Sequence, residues 1–345
     1  MAESRPSTRA RLRAYMPFLV LIVAAVAICM VSAALIVRSF QGERREPFIG
    51  DVPGTTVSTL VELPGDRAFP ESITLGPGDF LYSGSFCTGE IWRIDPQAGT
   101  LETWLAADAG IEAVSGMAFS PEGWLYVADR GSCDPRAGVS SLKRVSPEGV
   151  VEEWGEVTDD EIINSLAFDA RGTLYATDTQ LGQIRSYDDD GAFNIWWEVP
   201  ADPNTARPTG LAYDTARDAL VVADSGNGII YRIGIDARGQ AGEIAVLYED
   251  DRRELDGLTL DDTGRVIFTS YDNARVMRLT ETGAALILAQ NFREPSDVAF
   301  LDDRVYVTNF DSISLAPLIG WVLDPSLPFT IDVIDLSRTE DNPAP

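Results

Sequence analysis

The sequence predicts an all-β protein: a six-bladed β-propeller preceded by a single N-terminal transmembrane helix. Two features carry this prediction. One kind of segment recurs six times at intervals of 40 to 49 residues, and the uncharged stretch 14–37 lies near the N-terminus. A repeat of this length, made of short β-branched and aromatic runs separated by Gly and Asp turns, is typical of propeller blades, which bury their faces only by packing against neighbouring blades.

The uncharged stretch is 24 residues long, about 36 Å as a helix, which is enough to cross a bilayer. Four arginines but only one acid, Glu3, precede it, and this bias favours a cytoplasmic N-terminus. The arginines are Arg5, Arg9, Arg11 and Arg13. The alternative is a signal peptide cleaved near Val31-Ser32-Ala33, which would leave a secreted protein. Both interpretations export the rest of the chain to the periplasm or the cell exterior.

The predicted organisation has five parts. They are a cytoplasmic tail (1–13), a signal-anchor (14–37), a linker (38–55), the propeller (56–337) and a C-terminal tail (338–345). The formal net charge is −27, and the first 50 residues carry +4, so the exported part carries −31. Such a charge repels nucleic-acid phosphates, and no nucleic-acid partner is expected.

Each repeat places an inner strand, a turn and a second strand in the same order. In the second repeat, Val114–Phe119 is followed by Ser-Pro-Glu-Gly and then by Trp124–Tyr126. After the sixth repeat only one late strand is evident, Thr330–Asp335. We therefore expect Val57–Glu62, which precedes the first repeat, to supply the outermost strand of blade six and close the ring.

The chain contains no histidine, and this absence excludes several kinds of catalytic site. Neither a Ser-His-Asp triad nor a His-ligated zinc site of the HExxH type is available. Acid–base chemistry must therefore fall to Asp, Glu, Tyr, Lys or a metal-bound water.

Two cysteines, Cys87 and Cys133, lie in the exported part. They fall in corresponding loops of adjacent repeats, and the oxidising compartment favours a disulfide between them. The alternative is a pair of buried thiols. The loop of blade six that corresponds to theirs, within 312–329, is long and apolar. It is expected to cover the channel mouth, contact lipid or pack against blade one.

One polar residue opens each predicted inner strand, so the six should form a ring around the channel. These residues are Glu71, Ser115, Asn164, Thr209, Asp256 and Ser296. Carboxylate and amide oxygens recur in blades one, three and five, and hard cations such as Ca²⁺ prefer oxygen ligands of this kind. Without histidine, zinc or copper fits poorly. The serines Ser115 and Ser296 are expected to face a substrate.

The exported domain resembles the six-bladed calcium propellers of the gluconolactonase/regucalcin family, which includes luciferin-regenerating enzyme-like proteins and is related to paraoxonases and strictosidine synthase-like proteins. The resemblance implies a channel cation held by a Glu in blade one, an Asn in blade three, an Asn in blade four and an Asp in blade five. Glu71, Asn164 and Asp256 match three of these positions. Thr209 stands in place of the blade-four Asn and is expected to join the metal site, with its hydroxyl either binding the cation or holding a water.

Two functions follow as hypotheses. The first is a Ca²⁺-dependent hydrolase of a lactone or related ester, in which the cation polarises the carbonyl and Asp256 acts as base or nucleophile. The second is a non-catalytic propeller, similar to NHL repeats, that binds a ligand or a protein partner at the cell surface. The resemblance to NHL repeats lies in the segment Ala223–Asn227.

Overall fold

The computed structural model describes residues 8–40, 46–158, 160–200, 204–251, 255–316 and 324–338. Helix α1 covers Thr8–Phe40, and within it Tyr15–Ala33 is long and apolar enough to cross a membrane. A cleaved signal sequence has the same length and composition, so the helix is compatible with both predicted N-terminal roles.

The predicted six-bladed propeller is confirmed. The strands of blades one to three are β3 (Pro70–Leu75), β4 (Leu81–Ser85), β5 (Ile91–Asp95), β6 (Thr100–Leu105), β7 (Val114–Phe119), β8 (Leu125–Asp129), β9 (Ser141–Val145), β10 (Val151–Glu153), β11 (Ile163–Phe168), β12 (Leu174–Asp178), β13 (Gln183–Tyr187) and β14 (Phe193–Glu198). Those of blades four and five are β15 (Pro208–Asp214), β16 (Ala219–Asp224), β17 (Ile229–Ile235), β18 (Ala241–Glu249), β19 (Leu255–Leu260), β20 (Val266–Ser270), β21 (Arg275–Leu279) and β22 (Ala285–Gln290). Two short 3₁₀ helices cover Pro77–Asp79 and Ser312–Leu315.

Blade six closes the ring with strands from both ends of the propeller. It contains β23 (Val298–Leu301), β24 (Arg304–Thr308), β25 (Thr330–Asp335) and, outermost, β2 (Thr56–Glu62). Strand β2 pairs antiparallel with β25 from Thr56 opposite Asp335 to Glu62 opposite Thr330. The expected closure by the segment before the first repeat is therefore confirmed.

The predicted linker contains an additional strand. Strand β1 (Phe48–Ile49) pairs with β22 and forms a fifth strand on the outer edge of blade five. Gly50 follows it and lies against Ile287 so closely that an added Cβ would come within 2.2 Å of the Ile287 carbonyl oxygen. A glycine is therefore required at this contact, and the chain is fixed to blade five well before β2 begins.

Apolar side chains of the described residues form a hydrophobic cluster in each interface between neighbouring blades. Between blades three and four, for example, Trp196 and Trp197 pack with Leu220 and Tyr231. Between blades six and one, the cluster includes Val61 of the closing strand and Phe329. Burial of these surfaces holds each blade to the next, and it explains why apolar residues occur on both faces of the blade strands.

The two loops that carry cysteines are joined in the structure. Cys87 and Cys133 form a disulfide between blades one and two, with their Cα atoms 4.4 Å apart. In the long connection of blade six, Leu315 packs against the cluster between blades six and one. Residues 317–323 of that connection lie outside the described residues, as do residues 1–7, 41–45 and 339–345 of the predicted tails and linker.

The closing strand generates a prediction about stability. A chain that begins at residue 46 keeps β1 and β2 and should melt at the temperature of the full chain. A chain that begins at residue 64 loses the strand that pairs with β25 and buries Val61, and its melting temperature should fall by at least about 10 °C. Circular dichroism melts of both chains measure the difference, and equal melting temperatures would contradict closure by β2.

Candidate functional site

The strand-opening residues lie at a point where the β ladders are irregular. In blades one to five, the pairing of inner and second strand shifts register across this point; in blade one the shift lies between Pro70 and Ser72. The corresponding shifts occur between Val114 and Gly116, Ile163 and Leu166, Pro208 and Leu211, and Leu255 and Leu258. Such bulges redirect side chains and are common next to active sites. Here they release the opening residues from the ladder.

A small cavity of about 10 Å³ lies where the inner strands converge, which is room for roughly one water molecule or one ion. Residues from blades one, two, three, four, five and six line it. They are Glu71, Ser115, Asn164, Ser165, Gly210, Asp256, Gly257, Ser296 and Asp297. The structure thus brings together five of the six predicted ring residues. The exception is Thr209, since its neighbour Gly210 lines the cavity instead.

The carboxyls of Glu71 and Asp256 are buried where no basic side chain lining the cavity would neutralise their negative charge. Burial raises the pKa of Glu71 well above its usual range, and the charges of Asp256 and Asp297 raise it further. Burial, Asp297 and Asp272 likewise raise the pKa of Asp256. In the described part of the chain, neither carboxyl receives a hydrogen bond that offsets these effects, and no Lys or Arg lines the cavity.

The third carboxyl of the cavity, Asp297, was not predicted from the sequence. Its Oδ2 accepts hydrogen bonds from the Ile73 N–H at 3.0 Å and the Ser72 hydroxyl at 3.2 Å, so it ties blade six to blade one. Burial raises its pKa to about 7, although these hydrogen bonds oppose the rise. A sequence signal was available, because the residue after each opening position is Gly or Ser in five blades and Asp only in the sixth.

The side-chain hydroxyls of Ser115, Thr209 and Ser296 donate hydrogen bonds to backbone carbonyls at the start of the inner strand in the next blade. Ser115 Oγ donates to the Ile163 carbonyl at 3.0 Å, Thr209 Oγ1 to the Leu255 carbonyl at 3.3 Å and Ser296 Oγ to the Glu71 carbonyl at 2.7 Å. The three accepting carbonyls belong to Glu71 itself and to the residues directly before Asn164 and Asp256. Around the ring, residues that can offer a side-chain oxygen to a ligand (Glu71, Asn164 and Asp256) therefore alternate with hydroxyl residues whose hydrogen bonds position them (Ser115, Thr209 and Ser296).

Two ring glycines show how closely the blades approach at the axis. A Cβ added to Gly116 would lie 1.9 Å from the Asn164 carbonyl oxygen, and one added to Gly210 would lie 2.3 Å from the Asp256 carbonyl oxygen. Any larger residue would displace the adjacent blade, and with it the side chain of Asn164 or Asp256. Glycine at these positions thus sets the spacing of the site.

Tyr271, which follows strand β20, does not line the cavity but lies near enough to Asp256 and Glu71 for their charges to act on it. Its hydroxyl hydrogen-bonds to the Ser312 hydroxyl. Burial raises its pKa, and the charges of Glu294, Asp256 and Glu71 add to the rise, so the phenol remains neutral. Tyr271 is a second site residue that the sequence did not reveal, because the predicted ring includes only residues at the start of inner strands.

The donor set of the cavity fits a hard divalent cation. Glu71, Asn164 and Asp256 offer oxygen ligands in a buried, anionic, ion-sized space, which is the chemistry that Ca²⁺ prefers. Among the described residues, no group of three His, Cys, Asp or Glu side chains is arranged to hold a metal. A site here would therefore combine two carboxylates with the Asn164 amide and with water or substrate oxygens.

Comparison with known proteins identifies the relatives of this chain. Residues 69–310 match the profile of the SMP-30/Gluconolactonase/LRE-like region. A 6-deoxy-6-sulfogluconolactonase of Pseudomonas putida is 25% identical over 260 residues, which cover 70% of this chain and 84% of that protein.

Solved structures support the same fold. A luciferin-regenerating enzyme superposes with a TM-score of 0.63 at 17% identity, covering 84% of this chain and 98% of that one. A gluconolactonase of Xanthomonas campestris gives a TM-score of 0.61 at 15% identity, covering 86% and 96%. At these identities the structural likeness shows the architecture alone.

The raised pKa of Asp297 predicts how stability depends on pH in chelator-treated protein. The folded state keeps the Asp297 proton up to about pH 7, whereas the unfolded state loses it near pH 4, so stability falls as pH rises between these values. Asp297→Asn retains an acceptor for the Ile73 N–H without the charge. It should be more stable than wild type at pH 8 by on the order of 2–4 kcal/mol, and the difference should vanish near pH 4.

Urea titrations at several pH values measure this difference. Asp262→Asn, which changes an exposed carboxyl in a turn of blade five, is the matched control and should follow wild type. An Asp297→Asn advantage that is absent, or equal at pH 4 and pH 8, would contradict the assignment.

Proposed function

The chain belongs to the SMP-30/gluconolactonase/LRE-like family, and we propose that its propeller is a divalent-cation-dependent hydrolase of a lactone or related ester. The observation that carries the proposal is the convergence of Glu71, Asn164 and Asp256 on one buried cavity at the channel axis that no Lys or Arg lines. The sulfogluconolactonase and gluconolactonase relatives act on lactones according to their names, which supports the same substrate class here.

Glu71, Asn164 and Asp256 would hold the cation, preferably Ca²⁺. When bound, the cation supplies a Lewis acid that polarises the substrate carbonyl. The buried carboxyls would then be ionised, because a neighbouring positive charge favours their charged form. Asp297 stays bound to blade one through Ser72 and Ile73, the two residues that follow Glu71.

Asp256 is the proton acceptor in this proposal. Its carboxylate takes a proton from water as the water oxygen bonds to the lactone carbonyl carbon. The ring C–O bond then breaks, the proton passes to the departing alkoxide, and the product is a hydroxy acid. In the alternative role, an Asp256 oxygen attacks the carbonyl carbon itself and water cleaves the resulting anhydride. A single turnover in H₂¹⁸O followed by mass analysis of the protein separates the two. When water attacks the Asp256 carbonyl carbon of the anhydride, the ¹⁸O stays in the Asp256 carboxyl, whereas the general-base route places it in the product acid.

A second candidate, a non-catalytic propeller that binds a ligand or protein partner, rests on one observation. The Thr209 hydroxyl donates toward two backbone carbonyls, those of Ala223 and Leu255, and Thr209 does not line the cavity. Blade four therefore adds no side-chain ligand where the family resemblance implies an Asn. In this alternative the cation is structural.

We also infer that the N-terminal helix remains attached and places the propeller outside the cytoplasm. The four arginines before the membrane-length segment Tyr15–Ala33 support a cytoplasmic N-terminus, and the disulfide between Cys87 and Cys133 is typical of exported proteins.

Substitution of Asp256 tests the hydrolase. Asp256→Asn keeps the size of the side chain but removes the proton acceptor, and turnover of a panel of γ- and δ-lactones and aryl esters should fall by about 10²–10⁴-fold. Rates are measured with excess Ca²⁺, and a melt confirms that the variant is folded.

Asp262→Asn, in the same blade but exposed, should leave turnover unchanged. Wild-type rates in Asp256→Asn would refute the role of Asp256. If the wild-type protein hydrolyses no member of the panel with or without Ca²⁺, the hydrolase proposal fails and the binding alternative gains support.

A further inference from the structure

The strand directions show at which end of the propeller the N-terminal segment enters. Inner strands begin, and second strands end, at the end that carries the cavity, and we call this end the mouth. Strand β22 also ends at the mouth, at Gln290, which pairs with Phe48 of β1. The Asn291 side-chain amide donates to the Glu46 carbonyl at 2.9 Å. The chain therefore reaches the propeller at the mouth and runs from there toward the opposite end.

The long connection of blade six is attached to the same short segment. Asn291 binds Glu46, and two residues later Arg293 donates to the Pro328 carbonyl at 3.1 Å and also to the Ser326 carbonyl. Arg293 is buried and forms a further hydrogen bond to Thr330 at 3.0 Å. Leu327 and the entry point of the N-terminal segment are thus fixed to one structural element, residues 291–293.

Apolar side chains are exposed at this part of the mouth. Phe48 and Ile49 of β1 are about half exposed, and so are Ile313 and Leu327 of the blade-six connection. Isolated exposed apolar residues are common in proteins. These four, however, lie at the entry of a segment that leads directly to a membrane-length apolar helix.

The length of the chain limits how far the mouth can lie from that helix. Helix α1 ends at Phe40 and the fixed segment begins at Glu46, so six residue steps span at most about 20 Å however they run. A six-residue strand is itself about 20 Å long. If the opposite end of the propeller faced the membrane, the segment between Phe40 and Glu46 would have to be fully extended along the height of blade five to reach the mouth.

Acidic turns occur at both ends of the propeller, for example Asp261–Asp262 at the opposite end and Asp250–Asp251 at the mouth. The orientation therefore rests on the tether length and on the exposed apolar side chains.

We propose that the mouth of the propeller faces the bilayer that the N-terminal helix spans, with Phe48, Ile49, Ile313 and Leu327 in contact with the lipid surface. The short tether keeps the mouth at a high local concentration relative to the membrane, so modest apolar contact suffices for docking. This orientation does not depend on the proposed hydrolysis, since it rests on the entry of the chain and on exposed side chains. It implies that any ligand reaches the cavity from the membrane surface.

The test uses the intact chain in phosphatidylcholine vesicles. Cys29→Ser removes the free cysteine in the helix, and a single cysteine is then introduced by Ile313→Cys or, separately, Leu327→Cys. The control is Asp262→Cys, an exposed position in the same half of the ring but at the opposite end. Each cysteine is labelled with an environment-sensitive fluorophore without reducing the Cys87–Cys133 disulfide. Vesicles with and without nitroxide-labelled lipid are compared.

We expect the fluorophores at positions 313 and 327 to be quenched by about twofold or more, and the one at 262 to be unaffected. Quenching at 262 that equals or exceeds that at 313 and 327 would overturn the proposal, as would the absence of quenching at all three positions. The mass of the intact protein after expression is a second check, because cleavage near Ala33 would overturn the proposal. Neither readout involves lactone turnover, so this inference and the hydrolase can fail separately.

Discussion

The close approach of successive blades at the channel axis is the constraint on which the site depends. At Gly116 and Gly210 the neighbouring backbone comes too near for any side chain, and the β ladders of blades one to five shift register at the same level. Close approach at the axis and the loss of regular pairing therefore occur together in these blades. The residues released from the ladders therefore turn their oxygens inward, and the fold itself creates a polar ring that is available for a ligand.

The electrostatics of this ring explain why a cation is the expected ligand. Three carboxyls, Glu71, Asp256 and Asp297, are held in one buried space. Asp256 and Asp297 raise the cost of ionising Glu71, and Asp297 also raises that of Asp256. Protonation or a bound cation are the two ways in which a protein relieves such a cluster. Hydroxyls of Ser115, Thr209 and Ser296 fix the backbone on either side of the ring, so the charged groups cannot separate to relieve their repulsion.

The sequence alone predicted the repeat, the ring and the closing strand, because these follow from patterns that recur six times. It did not predict features that occur once. Asp297 contacts Ile73 of another blade, and the Tyr271 hydroxyl hydrogen-bonds to Ser312 of another blade, so neither contact shows in a single repeat. Strand β1 has only two residues and lies in a segment with linker composition. Its pairing with β22 depends on an edge that forms only after blade five has folded.

The central claim is that the ring binds a divalent cation through Glu71. Thermal unfolding of the full chain in detergent, after chelation and then with added Ca²⁺, tests it most directly. Calcium at a hundred times its dissociation constant adds about 2.7 kcal/mol, which should raise the melting temperature of wild type by about 5 °C. We expect this rise in wild type and in the exposed-site control Asp262→Asn, and its loss in Glu71→Gln. A rise of the same size in Glu71→Gln, or no rise in wild type, would contradict it.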